Sequence, residues 1–162
     1  MIIISNYRLE RIDSYEYYVH SYETNTCPVC DSSVRVIGIR KRKYINDTGE
    51  VHTLIVRRLR CRDCNVIHHE LPDKVVPYKR HCSDTIGKIV AEEPGGLPCE
   101  ESTVRRIRKW WEACRLYFES VLASHREKHG VMFSPYPAPK EIIRAVVNAN
   151  LWVHTRSAFL SG

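Results

Sequence analysis

Two runs of the chain carry the clearest pattern of apolar and polar positions. Residues 34–45, VRVIGIRKRKYI, and residues 51–60, VHTLIVRRLR, are dense in β-branched side chains with Arg and Lys set among them. Between them NDTGE supplies Asn46, Asp47 and Gly49, residue types that favour turns, so the pair predicts a β-hairpin. A third extended piece, Val66–Leu71, is expected to end at Pro72, which has no N–H for a ladder. Upstream, MIIIS is a strand candidate, whereas the alternation of YEYYVHSYE is too imperfect to predict an element.

The pattern changes after PYKRHC. Ser83, with Asp84 in the first turn, starts a helical stretch through Glu93, which Pro94, Gly95 and Gly96 stop. A longer helix is predicted from Ser102 or Thr103. There Val104, Ile107, Trp110 or Trp111, Cys114, Tyr117 or Phe118, Val121 and His125 recur at intervals of three and four and form one apolar face. Residues 130–139 are proline-rich and read as a linker, and residues 140–162 as one more helix to about Asn148 and an aromatic tail. The resulting expectation is an α+β chain: an extension over 1–26, a ribbon of a hairpin within a three-stranded sheet over 27–82, and a helical region over 83–129 similar to a helix-turn-helix.

The cysteines change this picture most. Cys27-Pro-Val-Cys30 and Cys61-Arg-Asp-Cys64 stand 30 residues apart on either side of the predicted hairpin, which would bring the two pairs together. Four thiolates on two tight turns suit one tetrahedral zinc ion, and four ligands leave no open position, so the expected role is structural. The residue after each second cysteine is usually Gly in a left-handed conformation. Here Asp31 and Asn65 stand there, the types that best tolerate φ > 0. Neighbouring His68 and His69 fall on opposite faces of a strand and are not needed as ligands. No apolar run approaches the roughly 20 residues that span a bilayer, and the expectation is a cytoplasmic protein with reduced thiols.

The formal net charge is +6, and residues 27–82 hold twelve Lys and Arg against six Asp and Glu. Arg40, Lys41, Arg42 and Lys43 on the first strand, Arg58, Arg60 and Arg62 on the second, and Lys79 and Arg80 beyond form one candidate surface for a nucleic-acid backbone. Arg105, Arg106, Arg108 and Lys109 at the start of the long helix form another, and there a helix could read bases. The expected partner is double-stranded DNA. The competing readings are an adaptor whose ribbon and C-terminal helix dock a recombinase or another protein, supported by the aromatic tail, and single-stranded nucleic acid or RNA stacked on Tyr44 or Tyr78.

CPVC, LIVRRLRCRDC, HHELPD, PYKR and STVRRIRKWW together resemble small bacterial proteins of unknown function found in mobile elements near transposase genes. The block is also similar to the N-terminal zinc-ribbon and helix-turn-helix parts of insertion-sequence transposases, over about residues 27–115. That resemblance implies a DNA-binding companion of a separate transposase and no activity of its own. The residues agree: no P-loop, G-x-S-x-G or H-E-x-x-H is present, and Cys82, Cys99 and Cys114 lack the spacing of a nucleophile with its base.

Overall fold

The computed structural model describes residues 1–93, 95–129 and 137–153. These form six strands and three helices in the order β1 (Ile2–Ile4), β2 (Tyr7–Arg11), β3 (Glu16–Ser21), β4 (Val34–Ile45), β5 (Val51–Cys61), β6 (Ile67–Pro72), α1 (Ser83–Val90), α2 (Glu101–His129) and α3 (Pro139–Asn148). The chain is therefore mixed α+β, with its strands in the N-terminal half. Of the expected linker over 130–139, residues 130–136 lie outside the described residues and Pro139 already belongs to α3; residues 154–162 of the tail and the side chain of His125 also lie outside them.

β5 is the centre of the sheet because both its edges are used. β4 runs antiparallel along one edge from Val34↔Cys61 to Ile45↔Val51. The other edge is shared: β3 pairs in parallel with Thr53–Ile55, and β6 pairs antiparallel with Arg58–Arg60. Leu54, Ile55 and Val56 are buried in succession, as a strand covered on both faces requires. β1 then adds in parallel to β6, and β2 antiparallel to β3. The expected three-stranded sheet is thus a six-stranded one. β1 falls on the strand candidate MIIIS, whereas β3 was hidden because it carries half-buried tyrosines on both faces, so that only Val19 stands out as a core position.

The hairpin turn is held by one side chain. Asn46 Oδ1 accepts from the backbone N–H groups of Thr48 at 3.0 Å and Glu50 at 2.8 Å, while Gly49 takes φ 91°. Further along β4 the register shifts between Val36 and Gly38, a bulge in which Gly38 takes φ 147°.

The helices close a single core. Ile86 and Ile89 of α1, Val104, Ile107, Trp110, Trp111, Cys114 and Phe118 of α2, and Ile142, Ile143, Val146 and Val147 of α3 join Ile2–Ile4, Leu54, Val56 and Leu71 in one buried cluster. Both tryptophans are buried. Tyr117 instead points outward and donates its hydroxyl to the Leu151 carbonyl at 2.8 Å. α1 ends at Val90, short of Glu93, and residues 91–100 join it to α2, a longer connection than the roughly three or four residues of a helix-turn-helix.

Candidate metal centre and basic face

The hairpin brings both cysteine pairs to one end of the sheet. Val34 opposes Cys61 across the ladder, and an isolated bridge between Thr26 and Ser33 places Cys27 beside it. Each pair wraps a tight turn: the Asp31 N–H donates to the Cys27 carbonyl at 2.8 Å, and the Cys61 N–H to the Val66 carbonyl at 3.0 Å. Asp31 at φ 57° and Asn65 at φ 60° adopt the left-handed conformation that their positions predicted.

The four sulfur atoms lie within 4.8 Å of one another, with Cys27 and Cys64 3.6 Å apart and Cys30 and Cys61 3.5 Å apart. Tetrahedral zinc with Zn–S bonds of about 2.3 Å sets sulfurs about 3.8 Å apart, whereas a disulfide needs about 2.05 Å. All four cysteines are free, Cys27 and Cys61 buried, Cys30 and Cys64 at the surface. The cluster could hold a metal ion, and four soft thiolates in this arrangement suit zinc or iron.

Four thiols this close cannot all ionise without a cation. Hydrogen bonds from Ser32, backbone first, bring Cys30 down to about 6. Cys64 goes the other way, to about 12: the Val66 N–H favours its thiolate, but desolvation and then the neighbouring sulfurs outweigh it. A divalent ion reverses that balance and releases protons as it binds.

Around this cluster the two histidines separate as strand alternation requires. His68 is buried with Nε2 3.3 Å from the Cys27 sulfur, where a ring N–H could donate to a metal-bound thiolate. His69 faces the opposite side of the sheet. On the His68 side the buried Glu70 carboxylate accepts from Arg57 Nε at 2.6 Å and Nη2 at 2.7 Å, and from Asn25 Nδ2 at 2.8 Å. Its near-invisibility in the sequence has a simple cause: only the register Arg58↔His69 sets Arg57 across from Glu70.

The bulge decides how the arginines are distributed. Arg35 opposes Arg60, Gly38 opposes Arg58, and Arg40 and Arg42 oppose Val56 and Leu54. The extra residue changes parity along β4, so Arg35, Arg40 and Arg42 share the face of Arg58, Arg60 and His69. The basic run at 40–43 is consequently divided. Lys41 and Lys43 occupy the opposite face, where Lys41 meets Glu16 at 2.6 Å. Arg62 is exposed beside Cys61, and Arg80 is exposed with its carbonyl accepting from the Ile45 N–H at 2.7 Å. Lys79 is half-buried, its ammonium 4.0 Å above the Trp110 ring.

On α2 the basic residues divide again. Arg105, Arg106 and Lys109 are exposed, and Arg105 lies 3.8 Å from Glu101. Arg108 is half-buried, with Nε donating to the Ile89 carbonyl at 3.4 Å and Nη1 3.9 Å from Glu92, so it ties α2 to the end of α1.

A family described as "Domain of unknown function (DUF6431)" matches residues 27–107, half of the chain, from the first cysteine knuckle to the second turn of α2. The chain belongs to that family. No curated protein and no solved structure is matched by it. The DUF6431 region contains all four clustered cysteines and every basic residue of β4, β5 and β6, while β1, β2, β3 and α3 lie outside it. No described helix is long and apolar enough to cross a membrane.

Proposed function

We propose that this is a non-catalytic nucleic-acid-binding protein in which one structural zinc ion fixes a basic sheet face against double-stranded DNA. The observation that carries the reading is the shared face of Arg35, Arg40, Arg42, Arg58 and Arg60. Arg35 and Arg60 are directly opposed like charges, a destabilising arrangement in an isolated sheet that phosphate oxygens between them would relieve. Among the described residues none of these five makes an ion pair, whereas Arg57 and Lys41 on the reverse face both do. Exposed Arg105, Arg106 and Lys109 on α2 offer a second basic surface, and sequence preference is assigned to them. A role beside a separate transposase rests on the resemblance of the cysteine and arginine motifs alone.

The test is the salt dependence of binding to random duplex DNA. Affinity should fall steeply between about 50 and 200 mM salt, and neutralising Arg40 and Arg58 together should reduce the slope by about two counterions. Absence of duplex binding at the lower salt would overturn the reading. Replacing Arg105 or Arg106 should alter the sequences recovered from a selection, whereas Arg108→Ala should act mainly on stability because that side chain is tied to α1.

A further inference from the structure

β2 is the last strand of its sheet, and among the described residues no strand pairs with its outer edge. Which of its backbone groups face outward follows from two bonds that flank it. The Tyr22 N–H donates to the Asn6 carbonyl at 3.0 Å, and the Ile12 N–H to the Glu16 carbonyl at 2.9 Å, so the even-numbered residues turn their backbone groups towards β3. The N–H and C=O groups of Tyr7, Leu9 and Arg11 therefore point away from the sheet, in a row that a further strand could join.

The side chains alternate across the sheet. Tyr7 and Leu9 lean on the apolar core, whereas Arg8 and Glu10 are exposed on the opposite face. Glu10 Oε2 lies 2.5 Å from His20 Nε2, and Arg8 on the same strand comes no closer to it than 3.9 Å; among the described residues Arg8 has no other ion partner. At the far side of the sheet β4 carries Arg40, Lys41, Arg42 and Lys43, and a copy paired antiparallel about the middle of that run would meet like charges. β2 changes sign between Arg8 and Glu10 instead.

A second copy of the chain fits this edge in one register. Closed two-fold pairing of one strand with itself is antiparallel, and outward groups meet only where Tyr7, Leu9 and Arg11 oppose one another. An axis through Arg8 or through Glu10 sets that residue against its own copy, a pair of like charges. An axis through Leu9 sets Arg8 of each copy opposite Glu10 of the other. It also brings Leu9 to Leu9 and each Tyr7 to the other copy's Arg11, for about six backbone hydrogen bonds. We propose that β2 pairs edge to edge with β2 of a second copy of this chain, with Leu9 on the two-fold axis and Arg8 of each copy against Glu10 of the other. The two sheets become continuous, and one dimer carries two basic faces related by that axis. A pairing this short buries little area, so the dimer forms at tens of micromolar protein.

Sedimentation equilibrium of the full chain without DNA, from micromolar to hundreds of micromolar, is expected to show a monomer–dimer equilibrium. Glu10→Arg sets arginines opposite one another and should weaken it about tenfold, and Arg8→Glu should do the same with carboxylates. Mixed in equal amounts, these two variants should dimerise with each other, because every arginine of one then meets a carboxylate of the other. The double exchange Arg8→Glu with Glu10→Arg should restore the natural affinity. Arg11→Pro removes an outward N–H at an exposed position and should weaken the dimer while the circular dichroism of the folded chain stays unchanged. A chain that is monomeric at hundreds of micromolar, a dimer that Glu10→Arg or Arg11→Pro leaves intact, or single variants that fail to associate on mixing would each overturn the proposal and leave the DNA reading untouched.

Discussion

At the scale of single residues, the one acidic side chain buried among the described residues is fully partnered. Glu70 is 1% exposed, and its two oxygens accept from Arg57 and Asn25. Arg57→Ala would strand a buried carboxylate and should cost about 3–5 kcal/mol in urea unfolding. The double replacement Arg57→Met with Glu70→Met should cost less than either single change, since no unpaired charge remains. An additive double mutant would contradict the pairing. This pair was not legible in the sequence, because nothing local links residues 57 and 70. The conformations of Asp31 and Asn65 were, because a cysteine knuckle demands a positive φ at one fixed offset and these residue types supply it.

Among the elements, the hairpin depends on Gly38. Its φ of 147° is strained for any side chain, even though an added Cβ would meet nothing within 4 Å. Gly38→Val is therefore expected to cost about 1–3 kcal/mol through backbone strain alone, measurable as a lower denaturation midpoint. If the bulge is what aligns the arginines, duplex affinity should fall further than the loss of folded protein accounts for. The strands β4 to β6 and the turn at 46–50 were legible because β-branched runs and the turn residues Asn46, Asp47 and Gly49 are local signals. The bulge was not, because it is a property of two strands in register, and so the run at 40–43 reads as one cluster although the sheet sends alternate members to opposite faces.

For the molecule as a whole, the cysteine cluster and the apolar core occupy separate places. The cysteine cluster lies at one end of a sheet whose other parts are buried under three helices in a continuous apolar cluster. Purified protein should contain one zinc ion per chain by elemental analysis. Its removal with a chelator should abolish duplex binding and free Cys27 and Cys61 to thiol reagents, while the helical circular dichroism signal survives because α1–α3 pack on the sheet and on one another. Loss of the entire helical signal would show instead that the core depends on the metal. The sequence located the ligands but under-counted the sheet, since pairing of β1 and β3 with strands about 40 to 70 residues away leaves no local trace. That separation also sets an order of events in time. Ile2–Ile4 is made before its partner Ile67–Pro72, which follows only after several seconds at about 5–20 residues per second. During synthesis an apolar triad waits without its strand, so closing β1 onto β6 is a late step.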